Sequence, residues 1–505
     1  SAADSLAAAL ASASATRAGF ATADELLAAV GGDGIRPLFG SDPRFEERHR
    51  AFGLHQWCVV TFDESLPLRE MVGELSHDGR IEVLEYARCP RLKNRFPARP
   101  LRSAAAAATR ASMPMNDPLL PAQWHYDNTG YQVLVTQAGA DVNLFDAWKK
   151  NQGSSDIVVA VIDQAVQYTH PDLQANIWVN PNPTKGDQHG YNFVNNTAEL
   201  DWSYADREEY QGQIYYSNAD HGTHVAGTIA AVNDNDRGVC GIAGGRNGAG
   251  GVKIMSCEIL GKSESGSSGA GLAGQIRAIK YAADNGAVIC QNSWGYTAGT
   301  ISVTDWTRGS YSALSRAMEY FNKYAGLDEN GNQTGPMAGG IVLFAAGNDA
   351  SSEVCYPAAD ANAISVGATA FTGAPAYYTN YGTWVQISAP GGDQMLSNAY
   401  GGVYSTSVAA DGSSGYEGSQ GTSMACPHVS GVAALGLSYA LQLGKTFTQN
   451  EFTTLLLTSV NDINQYCTGT KQYFTDKGSL ATLDLSQYKK GMGTGYIDAY
   501  QVLMN

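Results

Sequence analysis

The chain has 505 residues, 44% of them hydrophobic and only 16% charged, with 57 glycines; this composition supports large cores and many turns and excludes general disorder. Residues 1–112 hold 14 basic and 14 acidic side chains, so the net charge of −16 lies wholly in residues 113–505 and excludes nucleic acid as a partner, since phosphate binding needs a basic footprint. The acidity reads as solubility or, more sharply, as cation binding. No apolar run approaches the roughly 18 residues that span a bilayer, so no transmembrane segment is expected. Eight cysteines, at 58, 89, 240, 257, 290, 355, 426 and 467, show no CxxC pair or zinc spacing. Cys290 and Cys426 sit in apolar stretches and read as buried free thiols, while pairing among the others stays open.

In chain order, residues 1–30 are Ala-rich with a helical stretch at 23–30. Residues 44–50 form a short amphipathic helix, 57–62 a strand, 68–75 a helix and 81–86 a strand, together a small α+β unit. An Arg-, Pro- and Ala-rich stretch at 88–112 reads as linker, placing a boundary near residue 113 and dividing the chain into 1–112 and 113–505. Beyond it, apolar runs at 157–162, 252–259, 287–289, 341–346, 363–366 and 385–388 read as buried strands. Helical stretches at 224–232, 271–285, 307–324 and 423–441 alternate with them. This predicts an α/β fold, a mainly parallel sheet with helices on both faces, whose chemistry collects at the carboxyl ends of the strands.

Three segments place catalytic residue types at such ends. Asp163 follows the strand Val158-Val-Ala-Val-Ile162, His221 opens His221-Gly-Thr-His-Val-Ala-Gly227, and Ser423 lies in Gly421-Thr-Ser-Met-Ala-Cys-Pro-His428. A serine hydroxyl needs a base to accept its proton, and that base needs a third group to fix its tautomer and stabilise its charge. Singly, the three have bland readings as cap, packing and turn residues. Together, in this order and with these neighbours, the chain resembles the subtilisin-like serine proteases (subtilases) over roughly residues 116–505.

That resemblance implies a serine endopeptidase acting through an acyl-enzyme on Ser423, with Asp163 and His221 completing the triad. Phe344-Ala-Ala-Gly-Asn-Asp349 resembles the family's oxyanion segment, implying Asn348 as side-chain donor beside the Ser423 backbone N–H. Ser293, Trp294 and Gly295 are similar to the segment lining the primary specificity pocket, and Ser265, Gly266 and Ser267 to the opposite edge strand. Cys355, before Tyr356-Pro357, matches a position deep in that pocket and would leave room for a large apolar side chain. No cofactor is implied for the chemistry. A structural Ca²⁺ is implied at Asp172, Asn233, Asp234 and Asp236, where hard oxygen ligands on a loop suit that ion. Residues 328–332 hint at an EF-hand loop, but Gly339 stands where its bidentate Glu is needed.

Where the family carries a hydroxyl residue and then Gly after the catalytic Asp, this chain has Gln164 and Ala165; Gln164 is expected to donate to Asp163 through its amide instead. Residues 31–100 resemble protease propeptides in position, with the tail after Phe96 in the cleft and cleavage within 103–115, so the own N-terminal domain is an expected partner in cis. Asn116–Trp124 resembles the start of many mature subtilases, and residues 493–499 the family's closing motif, which implies no long appended domain. Polypeptides are the implied substrates, a monomer the expected state, and the secreted, cell-surface or periplasmic space the expected location, a signal peptide having been removed before Ser1. A catalytically weak or inactive binding protein on the same scaffold is the alternative. A metal-dependent hydrolase lacks a His-x-x-x-His or comparable ligand set.

Overall fold

The computed structural model describes residues 35–61, 63, 81, 82, 84, 113–130, 137–203, 205–210, 213–262, 269–309, 311–395, 401–409, 411–475 and 478–505, with backbone alone at 205–218. The expected helices 23–30 and 68–75, most of the strand 81–86 and the linker 88–112 lie outside these residues.

Near the N-terminus, β1 (Ile35–Pro37) pairs antiparallel with β2 (Cys58–Val60). Between them a 3-10 turn (Pro43–Phe45) leads into α1 (Glu46–Ala51). Asp42 starts the turn by accepting the Arg44 N–H at 3.0 Å. Glu46 and Glu47 then occupy the first turn of α1 and Arg48 and Arg50 the last, the arrangement that complements the helix dipole. Leu38, Phe39, Phe52 and Leu54 are buried in a core shared with the body of the molecule.

The body opens with α2 (Leu144–Ala147) and is organised by a nine-stranded sheet. Its chain order runs through β3 (Val158–Asp163) and β4 (Gly190–Asn192). The hairpin β5 (Ala205–Tyr210) and β6 (Gln213–Asn218) projects outside it and ends just before α3 (His221–Ala230). Next come β7 (Lys253–Glu258), α4 (Gly271–Asp284) and β8 (Ile289–Asn292). After α5 (Val303–Arg308) and α6 (Ser312–Tyr324) come the two-residue β9 (Met337–Ala338) and β10 (Ile341–Ala345), then β11 (Ala363–Thr369) and β12 (Ile387–Pro390). A second hairpin, β13 (Val403–Val408) and β14 (Ser414–Ser419), precedes α7 (Thr422–Leu443). The chain continues through β15 (Phe447–Thr448), α8 (Gln449–Thr458), β16 (Val460–Asn461), the hairpin β17 (Thr470–Phe474) and β18 (Leu480–Asp484), β19 (Tyr496–Ile497) and α9 (Ala499–Met504).

The spatial order is β16-β19-β12-β11-β10-β8-β3-β7-β4, parallel except for the β16–β19 pair, so the expected α/β architecture is what forms. Period-two alternation sorts the two faces. Val159 and Val161 join the core that contains α3 and α7, whereas Ala160 and Ile162 join the core beneath α4 and α6. Asp163 shares the parity of Val159 and Val161, so its carboxylate emerges on the face that carries α3 and α7.

Two expectations are corrected. The single helix expected at 307–324 is two, because Gly309 leaves helical geometry (φ −131°, ψ −134°). Ser302 caps α5 by accepting the Asp305 N–H. The second concerns membrane-spanning length: α7 has 22 residues and is long and apolar enough to cross a membrane, yet 89% of its apolar window is buried inside the fold. Its small Ala, Gly and Ser residues let neighbours approach closely, as at Gly431, where an added Cβ would lie 2.9 Å from the Ile242 side chain.

Candidate active site

Asp163, at the carboxyl end of β3, and His221, at the start of α3, meet as expected. Asp163 Oδ1 lies 2.7 Å from His221 Nδ1, with Asp163 fully buried and His221 6% exposed. Gly222 permits the approach: a Cβ there would sit 2.1 Å from the Gln164 carbonyl oxygen. Asp163 Oδ1 also accepts the Gln164 backbone N–H at 2.6 Å, while Oδ2 has no hydrogen-bond partner among the described residues.

The expected donation from the Gln164 amide to Asp163 does not form. Instead Gln164 Oε1 accepts the backbone N–H of His221 at 3.0 Å. The side chain is long enough to pass the carboxylate and reach the amino end of α3, where the N-cap residue Asp220 makes no side-chain cap. A backbone N–H requires an acceptor, which fixes the orientation of the amide.

Ser423 enters α7 behind Gly421, whose φ of 147° is open to glycine. Its Oγ donates to the Ser293 carbonyl at 3.2 Å, and no Ser423–His221 hydrogen bond forms among the described residues. Apo sites commonly hold the nucleophile this way, and rotation about χ1 redirects the hydroxyl. Pro427 lies four residues on and has no N–H, so the Ser423 carbonyl lacks its usual helical donor. Ser293 Oγ supplies one at 2.8 Å, and Gln291 Nε2 donates in turn to Ser293 Oγ at 2.7 Å. Ser293, expected only in the pocket wall, thus has a second role. A proline inside the serine helix was the signal that a carbonyl there needed an outside donor.

Asn348 follows β10. Its Oδ1 accepts from the Thr422 backbone N–H at 2.9 Å and from Thr422 Oγ at 2.8 Å, which fixes the amide plane. A Cβ built on Gly421 would lie 3.5 Å from Asn348 Nδ2 and 3.6 Å from the Ser423 nitrogen. The two expected oxyanion donors thus border one space that glycine keeps open.

Trp294 packs edge-on against Phe344, ring centroids 5.0 Å apart. The segment Ser293–Gly295 abuts the Cys355–Pro357 turn, where the Tyr356–Pro357 bond is cis: the Tyr296 N–H donates to the Tyr356 carbonyl, and Cys355 Sγ to the Tyr296 carbonyl at 3.1 Å. Cys355 is buried beside Gly347, and burial pushes its thiol up to about 12, so it stays protonated. The other described cysteines, Cys58, Cys240, Cys257, Cys290, Cys426 and Cys467, are also free thiols. Ser265, Gly266 and Ser267 lie outside the described residues.

The residues expected to hold calcium are engaged in hydrogen bonds within the chain. Asp172 Oδ1 accepts from Asn235 Nδ2 at 2.7 Å and Oδ2 from the Val239 N–H at 3.1 Å. Asn233 Oδ1 accepts the Gly241 N–H, Asp234 is engaged by Asn116 and Arg246, and the Asp236 N–H donates to Asn116. The loop thus turns donors toward its carboxylates where a cation would need oxygens, and burial pushes Asp172 up to about 7. Among the described residues no three His, Cys, Asp or Glu side chains converge to hold a metal.

The fold and this site define a class: a subtilisin-like α/β protein bearing an Asp–His–Ser triad. Residues 154–486 match the Subtilase family, and the chain belongs to it. It is 34% identical over 336 residues to an extracellular protease of Xanthomonas campestris pv. campestris, covering 65% of this chain and 50% of that protein. It is 31% identical over 388 residues to the thermophilic serine proteinase of Bacillus sp. (strain AK1), covering 75% and 76%. The chain therefore spans half the length of the first relative and about three quarters of the second. Among solved structures it is similar to a protease from Pseudoalteromonas arctica, at 27% identity and a TM-score of 0.54, covering 78% of this chain and 99% of that one.

Proposed function

We propose that the chain is a secreted serine endopeptidase, made as a zymogen whose residues 1–112 fold against and restrain the enzyme. The observation that carries this reading is the buried 2.7 Å contact between Asp163 and His221 Nδ1, at the carboxyl end of the parallel strands, where Asn348 and Ser423 also lie. In the reaction, the Ser423 hydroxyl swings to His221 Nε2, which takes its proton as Oγ attacks the scissile carbonyl carbon. Asp163 stabilises the imidazolium, and Asn348 Nδ2 with the Ser423 N–H receives the oxyanion. The imidazolium protonates the leaving amine, and a water molecule then hydrolyses the acyl-enzyme by the same route. Relatives named as extracellular proteases support secretion. The docking of residues 35–60 on the body supports an N-terminal restraint.

A fluorophosphonate probe tests the reading. The chain should label on Ser423, weakly when intact and strongly once residues 1–112 are removed, and Ser423→Ala should abolish labelling and lower kcat about 10⁶-fold. A chain that stays unlabelled after that removal would be a binding protein on a protease scaffold.

A further inference from the structure

We infer that Gln164 is a positioning residue for the general base, tying the amino end of the histidine helix to the strand that carries the acid. The inference rests on the protease reading and adds to it a role for the first of the two residues that depart from the family's pattern.

The geometry is local and closed. Gln164 directly follows Asp163, and its own backbone N–H donates to Asp163 Oδ1 at 2.6 Å, the oxygen that also pairs with His221 Nδ1. Its side-chain Oε1 accepts the backbone N–H of His221 at 3.0 Å. Its carbonyl oxygen lies against Gly222, close enough to exclude a Cβ. One residue therefore touches the acid, the backbone of the base and the residue after the base.

An amide at the first position of a helix has no partner within the helix. At α3 the cap residue Asp220 makes no side-chain cap, and the acceptor arrives from Gln164, the residue after β3. Two residues further along α3 a second bridge forms in the opposite sense: the Gln167 N–H donates to Thr223 Oγ at 2.9 Å, and the Thr223 carbonyl accepts from Thr406 Oγ at 2.8 Å. The first turn of α3 is thus laced to the segment after Asp163, with Gln164 nearest the imidazole. A buried acceptor is needed because an N–H buried without a partner loses its hydrogen bond to water and gains none. Positioning follows because the imidazole hangs from the residue whose amide is held. A shift of about 1 Å at such a group can cost on the order of 100-fold in rate.

The experiment compares Gln164→Ala and Gln164→Glu with the parent in the full chain after removal of residues 1–112. Rates are expressed per fluorophosphonate-titrated site, with kcat and KM measured separately from pH 5 to 10. Gln164→Ala should lower kcat about 10-fold or more, with KM changed less than about twofold. Gln164→Glu still offers an oxygen to the His221 N–H, so it should restore most of kcat. Its added charge beside Asp163 and His221 should move the acid limb of the profile to higher pH. A kcat for Gln164→Ala within about twofold of the parent would overturn the inference. So would equal losses in the Ala and Glu variants accompanied by equal losses of thermal stability, the signature of a merely structural residue. A parent that never labels sinks the protease reading and the inference together, whereas a labelling parent with an indifferent Gln164→Ala sinks the inference alone.

Discussion

At the residue scale, the site divides the tasks of one amide between its two ends. Asn348 commits its carbonyl oxygen to Thr422 twice, which leaves its NH₂ edge on the side of Ser423. Asn348→Ala should therefore lower kcat by roughly 10²–10³ while KM stays nearly unchanged, since the donor acts on charge that develops only in the transition state. Steady-state kinetics on a peptide amide check this. Asn348→Asp is the sharper comparison, because a carboxylate cannot donate and would face the developing oxyanion with like charge. The triad and Asn348 were legible in the sequence because each stands in a run whose neighbours are as constrained as itself. The bonding of Gln164 was not, because a side chain's reach across an inter-element gap is set by packing and not by spacing along the chain.

At the scale of elements, a buried carboxylate ties the N-terminal segment to the body beside their shared apolar core. Asp284, at the end of α4, accepts from Arg48 at 2.7 Å and His49 at 3.2 Å on α1, and from Lys280 at 2.6 Å and Tyr320 at 2.7 Å in the body. Burial acts to raise this carboxyl, but the charge of Lys280, the hydrogen bond from His49 and the charges of His49 and Arg48 override it and hold it well below the usual carboxylate range. A depressed carboxyl contributes stability that is complete above its unfolded value of about 3.9 and is lost as pH falls through the folded one. Neutral pH therefore leaves the contact intact. Arg48 also bonds Tyr320 Oη through Nε and lies over the Phe45 ring. Arg48→Ala should weaken docking by about 2 kcal/mol, roughly a 30-fold increase in opening. Hydrogen exchange should quicken at residues 35–60 while amides of β3, β8 and β10 stay protected; equal quickening in both would refute a local latch. From sequence, 44–50 was readable as a charged helix, but its target was not, because Asp284 lies 236 residues from Arg48.

At the scale of the whole molecule, buried titratable groups set the response to pH. Burial pushes His170 and His428 down to about 4, and burial together with the charge of His428 lowers His125 well below its ordinary value. Between about pH 4 and 6.5 the unfolded chain binds protons that these imidazoles refuse, so they favour the fold less as pH falls through that window. Burial pushes Asp141 and Asp172 up to about 7 and Glu258 up to about 8, and these favour the fold less as pH rises from about 4 toward those values. The two sets largely offset one another below about 6.5, and only the carboxylates act above it. The thermal midpoint should accordingly be flat from about pH 4 to 6.5 and decline toward pH 8. Glu258→Gln keeps an acceptor for the Asp201 N–H and cannot ionise, so it should match the parent near pH 5 and melt higher at pH 9. A parallel decline in both proteins would discount Glu258. The parallel sheet and its flanking helices were legible because apolar runs alternate with helical periods. The break at Gly309 was hidden because glycine tolerates helix, and the bonding of the loop around Asp172 was not legible because Asp and Asn lend themselves equally to ligating and to receiving backbone amides.

Pro427 leaves the nucleophile's carbonyl for Ser293 to hold, and Ser293 also lies in the wall expected to read the substrate. If Ser293 reads the substrate as expected, recognition and reactivity should share a mechanical joint. A peptide that pulls its recognition strand out of register pulls the attacking oxygen with it, so a poorly fitting substrate should be discriminated in turnover as well as in affinity.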